Sequence, residues 1–365
     1  MTYISFPEGC DHMPLSFYLA TEEYLAREKR LPHEAFFMWQ VEPSVIFGRN
    51  QLIDTEVNTA YCRTHGIRMY RRKSGGGCVY ADRGNIMFSY ITPQDNVALT
   101  YNRYITMVVT MLRQLGLDAH GTPRNDILIG ERKVSGNAFY HLPGYSVVHG
   151  TMLYDTNMDH MMGSITPDPQ KLESKGVKSV RGRITLLKDH TDLSIDDFKQ
   201  HVRTTLCHDE LCLTADDLRR IREIEQEYLD PAFIYGRNPR YTVVRRRRIE
   251  GVGTIEVHME VSRGVLKAID MFGDYFILGD LDSILHRMKG TPFNHEALLK
   301  VVPDTLPQVV RNLSKRDFVV LIMDPLTPPK EPPLTPPKEG NRPSPQPSPF
   351  MGRECHPDGN NQIIK

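Results

Sequence analysis

The chain has 365 residues, of which 40% are hydrophobic and 25% are charged, as in folded globular proteins. Because this length exceeds the usual size of one hydrophobic core, we expect two domains. Lys plus Arg and Asp plus Glu number 45 each, and the resulting formal net charge of zero argues against a general nucleic-acid binder and against attraction to an anionic membrane surface.

The first part of the chain predicts one helix followed by a series of strands. Apolar residues at helical spacing predict the helix from about Leu15 to Arg27. We expect the strands that follow to form one substantial sheet. They are short β-branched or aromatic runs separated by Gly, Pro and Asn, at 35–40, 44–50, 66–72, 78–81 and 85–91.

The middle of the chain predicts a further helix, more strands and two helices. An apolar stripe predicts a helix from about Tyr101 to Leu115, with Gly116 as its C-terminal stop. Strands are expected at 126–130, 132–140 and 145–155. A polar, basic loop is expected beyond Pro167, before helices at 194–206 and 214–228.

The composition changes near Asn238. From Tyr241, alternating strands joined at glycines and two helices, at 280–288 and 294–302, predict a small α/β module. The tail contains PLTPPKEP and PLTPPKEG, and its dense proline predicts disorder. The predicted units are therefore a domain at 1–238, an accessory domain at 239–324 and a tail at 325–365.

Cysteine usage and the N-terminus bear on the compartment. The six cysteines include no CxxC pair, and the first 25 residues lack the basic and apolar regions of a signal peptide. No apolar run approaches the roughly 20 residues of a membrane span. We therefore expect a cytoplasmic protein that is not embedded in a membrane.

Three segments carry the functional prediction. RRKSGGGCVYADRGN (71–85) contains three consecutive glycines beside basic residues, so backbone can approach an anionic ligand there. Arg72 in this loop is able to make a bidentate contact to a carboxylate or phosphate. NDILIGERKVSGNAFY (125–140) places Lys133 near small residues, and YSVVHGTMLYD (145–155) places a glycine inside a strand. A plain hairpin turn is the alternative for the glycines.

Together these segments resemble the lipoate-protein ligase family. Its signature RRxSGGGAVxxDxGN is present as RRKSGGGCVYADRGN, its NDIxxxxxKxSGxA as NDILIGERKVSGNA, and its HGTxL as HGTML. WQVEPSVIFGRNQ (39–51) and KGVKSVRGRITLL (175–187) also look like family segments. The match extends from near Leu15 to about Phe318.

The resemblance implies an α+β fold: a biotin/lipoate ligase-type catalytic domain, with a mixed sheet and helices like class II aminoacyl-tRNA synthetases, and a small α/β accessory domain. It implies a ligase that uses lipoate, ATP and Mg²⁺. Lipoyl-AMP forms first, and the lipoyl group then passes to a lysine of a lipoyl domain. The implied partners are acyltransferase subunits of 2-oxoacid dehydrogenases and the glycine-cleavage H protein, with neither nucleic acid nor membrane.

The resemblance also implies the site. Lys133 matches the family's catalytic lysine, and Asp126 is the candidate magnesium ligand because hard carboxylate oxygen suits that ion. The residues expected to line lipoate or lipoyl-AMP are Arg72, Ser74, Gly75, Gly76, Gly77, Ser135, Gly136, Ala138, His149 and Thr151. The residues expected to bind ATP are Tyr80, Asn85, Asn125, Lys133, Lys178, Arg181 and Arg183. Trp39 and Arg49 are candidates for the pocket wall and rim.

One departure from the family pattern leaves a second mechanism open. Cys78 stands where the family usually has Ala. In the related octanoyl and lipoyl transferases a cysteine thiolate carries the acyl group without ATP. The alternatives are therefore an ATP-independent transferase that uses Cys78, and a non-enzymatic lipoyl-binding protein. A small buried replacement for alanine is the simpler interpretation of Cys78.

Overall fold

The computed structural model describes residues 1–323 except 11, 52, 95, 124, 166–179, 236–242 and 263. The predicted boundary near 238, the tail, and the candidate Lys178 lie outside the described residues. In chain order the strands are β1 (Thr2–Ser5), β2 (Ala35–Trp39), β3 (Ser44–Phe47), β4 (Arg68–Arg71), β5 (Val79–Ala81), β6 (Asn85–Thr92), β7 (Ala119–Gly121), β8 (Asp126–Ile129), β9 (Arg132–Leu142), β10 (Tyr145–Leu153), β11 (Asp209–Cys212), β12 (Val243–Ile249), β13 (Gly253–Ser262) and β14 (Val265–Gly273).

The helices of the described part follow the same order. They are Leu15–Tyr24 with a π-helical turn Leu25–Lys29, then Ile53–Glu56, Thr59–Thr64, Val97–Gln114, Met158–Ser164, Val180–Arg183, a 3-10 turn Leu187–Asp189, Ile195–Leu206, Ala215–Leu229, Pro231–Tyr235, Leu281–Met288, His295–Val301, Leu306–Val309 and Lys315–Met323. Across the described ranges, none of them combines the length and hydropathy needed to cross a bilayer.

The central feature is an eight-stranded mixed sheet in the order β11-β1-β2-β6-β10-β9-β8-β7. Side chains of successive strand residues point to opposite faces. Accordingly, Phe36 and Val148 belong to one hydrophobic cluster, whereas Phe37 and Val147 belong to another. The sheet therefore has a core on each face.

Different helices cover the two faces. The helices Val97–Gln114 and Ile195–Leu206 contribute to the first cluster. The helices Leu15–Tyr24 and Ala215–Leu229 contribute to the second. Ser194 and Thr214 cap the helices that follow them, because their side-chain oxygens accept the amides of Asp197 and Asp217.

One expectation about the sheet is wrong. The strands predicted at 35–91 do not form one sheet, because β3, β4 and β5 pair only with one another in a separate three-stranded sheet. Strand propensity reports a local preference, whereas pairing depends on distant partners. The sequence patterns did not predict β1 and β11, which pair in parallel with each other at one side of the central sheet.

The residues 243–323, named here the C-terminal module, have their own core. Strands β12, β13 and β14 form an antiparallel sheet, and its buried side chains pack with those of the four helices that follow. The module contacts the rest of the chain partly through backbone hydrogen bonds. The Gly273 amide donates to the Asn50 carbonyl at 2.7 Å, and the Gly76 amide donates to the Tyr275 carbonyl at 3.2 Å.

Buried polar contacts dock helix Ala215–Leu229 on helix Leu15–Tyr24. Asp217 accepts from the Tyr24 hydroxyl, from Lys29 Nζ at 2.9 Å and from the Thr214 amide at 2.8 Å. Burial raises the pKa of the Asp217 carboxyl, but these donors outweigh it and lower that pKa to about 2. The ionised carboxylate therefore stabilises the fold.

A pH-dependent stability follows for Asp217→Asn. The folded-state pKa of Asp217 lies below its unfolded value near 3.9, so its contribution is complete above about pH 5 and is lost as the pH falls toward 2. We expect the variant to unfold more easily by about 2 kcal/mol at pH 7. The difference from wild type, measured by thermal unfolding, should shrink between pH 5 and pH 3. An equal difference across that range would contradict the assignment.

Candidate active site

A row of residues crosses one face of the central sheet from an apolar to a charged end. Trp39 pairs with Met87, Met87 with Thr151, and Gly136 with Asp126, while the Gly136 amide donates to Thr151 Oγ1 at 3.2 Å. These residues lie on five adjacent strands. Four strand spacings separate Trp39 from Asp126 by roughly 19 Å. The register thus lays out an elongated site.

A cavity lies over this row. Leu19, Trp39, Ile46, Val79 and Met87 line its apolar part. Most of the other lining residues are polar or glycine: Arg72, Gly76, Gly77, Cys78, Asn125, Asp126, Lys133, Gly136, Asn137, Ala138, His149, Gly150, Thr151, Arg183, Asp274 and Phe276. This division suits a ligand that has an apolar tail and an anionic head.

At the charged end, one carboxylate is held between two cations. Lys133 Nζ lies 2.8 Å from Asp126 Oδ1, and Arg183 contacts Asp126 Oδ2. A Cβ atom at Gly136 would lie 2.4 Å from Lys133 Nζ, so the lysine side chain folds directly over this glycine. The missing side chain at Gly136 therefore gives Lys133 its path to the cavity.

Arg72 holds the glycine loop. Its Nε donates to Ser74 Oγ at 2.9 Å, and its two terminal nitrogens donate to the carbonyls of Ile46, Gly75 and Gly77 at 3.1, 2.7 and 2.8 Å. Four of its five N–H groups are thus engaged, and the bidentate ligand contact expected from the sequence is not available in this conformation. Burial lowers the pKa of Arg72 to about 10, which keeps it charged at neutral pH.

The glycines themselves make room for protein backbone. A Cβ at Gly75 would lie 2.4 Å from the Tyr275 carbonyl oxygen, and a Cβ at Gly48 would lie 2.4 Å from the Gly76 carbonyl oxygen. Phe276 stacks on Phe139, with 5.3 Å between ring centroids, and lines the cavity. The C-terminal module therefore contributes one wall of the site.

The structure gathers most of the predicted site residues. Eleven of them line the cavity: Arg72, Gly76, Gly77, Asn125, Asp126, Lys133, Gly136, Ala138, His149, Thr151 and Arg183. The wall candidate Trp39 lines it as well. Ser74, Gly75 and Ser135 do not line it but bond to residues that do: Ser74 Oγ lies 2.7 Å from His149 Nε2, the Gly75 carbonyl accepts from Arg72 at 2.7 Å, and Ser135 Oγ donates to Asn137 Oδ1 at 3.3 Å. Arg181 belongs to the helix Val180–Arg183, and Arg49 pairs with Asp282 of the C-terminal module at 3.1 Å.

Two predicted nucleotide ligands lie elsewhere. The Tyr80 side chain lines a separate shallow pocket with Asp82 and His160. Asn85 is buried, and its Nδ2 donates to the Tyr80 carbonyl at 3.1 Å. Neither side chain lines the cavity that contains Lys133. For Tyr80 the reason is alternation along β5, which points Val79 and Tyr80 to opposite sides.

Sequence reasoning missed several cavity residues. Asn137 is buried, and its Nδ2 donates to the Asn125 carbonyl at 3.1 Å, which closes the polar floor. A Cβ at Gly150 would lie 1.9 Å from Asn137 Oδ1, which explains the glycine inside β10. Asn137 and Gly150 both stand inside motifs that were quoted from the sequence, so these motifs could have identified them as cavity residues. Asp274 and Phe276 stand far along the chain and carried no local signal.

A single carboxylate is a limited metal site. Within the described ranges, no three His, Cys, Asp or Glu side chains lie close enough together to hold a metal ion. Mg²⁺ commonly takes one or two protein carboxylates together with substrate phosphates. Asp126 fits that pattern as the one protein ligand, but both of its oxygens pair with cations here. An ion would have to displace Lys133 or Arg183 from it.

Comparisons with known proteins cover both parts of the chain. Residues 14–207 match the family described as the lipoyl protein ligase A/B catalytic domain, and residues 238–322 match the bacterial lipoate protein ligase C-terminus. Lipoate-protein ligase LplJ of Bacillus subtilis is 33% identical over 317 residues, covering 83% of this chain and 95% of that protein.

Solved structures of lipoate-protein ligases are also similar to this chain. LipL1 of P. falciparum in complex with lipoate superposes with a TM-score of 0.70 at 18% identity, over 87% of this chain and 96% of that one, which shows the shared fold. Lipoate-protein ligase A bound with ATP superposes with a TM-score of 0.55 at 25% identity, over 64% of this chain and 98% of that one.

Gly75→Ala tests the contact with the C-terminal module. The added Cβ would lie 2.4 Å from the Tyr275 carbonyl oxygen, which is backbone and cannot rotate away. Overpacking of this kind costs about 1–3 kcal/mol, so we expect calorimetry to show a lower or split unfolding transition. Gly279→Ala is the control, because its Cβ would have ordinary contacts from 3.4 Å. Equal transitions in the two variants would refute the contact.

Proposed function

The chain belongs to the lipoate-protein ligase family, and we propose that it consumes ATP to form lipoyl-AMP and then transfers the lipoyl group to a lysine of a lipoyl domain. The observation that carries this proposal is the position of Lys133 at the charged end of a cavity whose other end is apolar. The α+β fold class expected from the sequence is confirmed by the family and by the related structures.

In the first proposed step, a carboxylate oxygen of lipoate attacks the α-phosphorus of ATP and pyrophosphate leaves. The acyl chain lies along Leu19, Trp39 and Met87, and the phosphates lie at Lys133 and Arg183. Both cations pair with Asp126, which holds them at this end of the cavity. Cations placed before reaction stabilise developing charge without reorganisation.

In the second proposed step, the lysine amine of a lipoyl domain attacks the acyl carbon and AMP leaves. Negative charge then develops on the acyl oxygen, and Lys133 is the nearest candidate to stabilise it. Lipoyl domains of 2-oxoacid dehydrogenases and the glycine-cleavage H protein are the proposed acceptors. Mg²⁺ is proposed to enter with ATP, and Asp126 would then exchange its cation partners for the metal.

The transferase alternative places the acyl group on Cys78. Its thiol lines the cavity beside Gly77 and Val79, so the position alone permits contact with a substrate. Family membership favours the ligase, in which the cysteine has no covalent role. We therefore propose that Cys78 is a wall residue that replaces alanine.

Lys133→Met is the first test. We expect lipoate-dependent exchange of labelled pyrophosphate into ATP to fall about 100- to 1000-fold, because one charge-stabilising contact of the transition state is removed. Methionine keeps the length of the chain over Gly136, so the fold should be retained. The control is Lys188→Met, whose lysine pairs with Asp155 and does not line the cavity. Full exchange in Lys133→Met would exclude the assigned role.

Cys78→Ala decides between the two mechanisms. We expect the variant to keep pyrophosphate exchange and transfer to a lipoyl domain, because alanine fills most of the same space. Mass spectrometry of the wild type, after incubation with an acylated carrier protein, should show no adduct on Cys78. An adduct together with loss of activity in the variant would establish the transferase mechanism. Running the exchange assay with lipoate, octanoate and biotin in parallel would define the acyl substrate.

A further inference from the structure

A buried carboxylate outside the predicted site connects two residues that line the cavity, Trp39 and His149. Glu22, on helix Leu15–Tyr24, has no exposed surface. Its Oε2 lies 2.9 Å from His149 Nδ1, and its Oε1 accepts from Ser89 Oγ at 2.5 Å. His149 and Trp39 both line the cavity, whereas Glu22 does not. Glu22 therefore acts on the cavity through its neighbours.

The first chain of hydrogen bonds runs from Arg72 to Glu22. Arg72 Nε donates to Ser74 Oγ at 2.9 Å, and Ser74 Oγ lies 2.7 Å from His149 Nε2. A guanidinium only donates and a carboxylate only accepts. Neutral His149 can satisfy both neighbours only if it carries its proton on Nδ1 and accepts the Ser74 hydroxyl at Nε2. The two ends of the chain thus determine the tautomer.

The second chain runs from Trp39 to the same carboxylate. Trp39 Nε1 donates to Ser89 Oγ at 2.8 Å, which leaves the Ser89 hydroxyl hydrogen for Glu22 Oε1. An indole N–H is only a donor, so this direction is also determined. Trp39, Ser89 and His149 are at most 5% exposed, so water does not replace these partners. Glu22 is therefore the common final acceptor of both chains.

We propose that Glu22 is a specificity-determining positioning residue, which directs the polar atoms of Trp39 and His149 away from the cavity. The indole N–H and both imidazole nitrogens are bonded to protein, so these two side chains present carbon to the ligand. Such a wall accepts an apolar acyl tail and penalises a tail with a hydroxyl or amide, whose partners in water are not replaced. This inference rests on the proposed function for the identity of the ligand.

Glu22→Gln tests the proposal without changing shape. A carboxamide has one acceptor and one donor end, so one of the two chains must reverse or break. Reversal leaves a polar hydrogen in an apolar wall. We expect the KM for lipoate to rise about tenfold, as for one lost buried hydrogen bond, with a smaller change in kcat. Discrimination between octanoate and an octanoate with a terminal hydroxyl group should fall.

The neighbouring residue supplies a matched control. Glu23 is also buried on the same helix, but its carboxylate pairs with Lys73 at 2.8 Å and accepts from the Tyr228 hydroxyl at 2.9 Å, away from the cavity. Glu23→Gln thus removes the same charge from the same helix. We expect it to lower stability while leaving the KM for lipoate and the tail discrimination unchanged. Equal effects of the two variants on KM would overturn the proposal.

Two measurements without substrate separate this inference from the proposed function. Trp39 is the only tryptophan, so its emission reports on the second chain alone. Nitrogen NMR of His149 distinguishes its tautomers. We expect Glu22→Gln to alter at least one of these signals and Glu23→Gln to alter neither. If these shifts occur but lipoate does not bind, the proposed function fails and the positioning role of Glu22 stands.

Smaller variants keep the test decisive if Glu22→Gln does not fold. Ser89→Ala breaks only the Trp39 chain, and Ser74→Ala breaks only the His149 chain. We expect the first to change the Trp39 emission but not the His149 nitrogen signals. The second should shift the signal of His149 Nε2, because that nitrogen loses its donor, while the Trp39 emission stays the same. Identical spectra for wild type and both variants would show that the chains do not orient these walls.

Discussion

The register across five strands of the central sheet is the constraint on which the site depends. It places Trp39 and Asp126 at opposite ends of one row, with Thr151 and Gly136 between them. Side chains in such a row share one face, so a ligand that lies across the strands meets apolar surface first and charge last. A shift of one residue in any strand would move its contribution to the opposite face.

At the charged end of the cavity, the cationic side chains pair with groups of the protein. Asp126 pairs with both Lys133 and Arg183, and four of the five N–H groups of Arg72 donate to Ile46 and to the glycine loop. Unpaired charges in a partly buried site would be costly, so the protein satisfies each one in advance. The two arginines of the motif differ from Lys133 in what they contact. Arg71 and Arg72 donate to backbone carbonyls, whereas Lys133 pairs with the carboxylate of Asp126, which lines the cavity.

Protein groups also satisfy the polar atoms beside Trp39 and His149, where Glu22 bonds to Ser89 and to His149. At the glycine loop, backbone of the C-terminal module fills the space that side chains would take. Gly75 faces Tyr275, and Phe276 enters the core of the preceding unit. The cavity is therefore a composite of two parts of the chain. Its shape depends on their contact as well as on the central sheet.

The sequence alone determined much of the local structure and placed the motif residues near one another. Periodicity located the helices near 15–24 and 195–206, and the motif around Lys133 indicated a lysine beside a glycine because Lys133 and Gly136 are near neighbours in the chain. Tertiary structure alone decided which strands share a sheet, that Tyr80 turns away from the cavity, and that Arg72 donates to the glycine loop. It also decided that Phe276 lines the cavity and that Glu22 bonds to Ser89 and His149. These features depend on which strands pair, on which side of a strand each side chain lies, and on contacts between residues far apart in the chain. Local sequence patterns do not encode them.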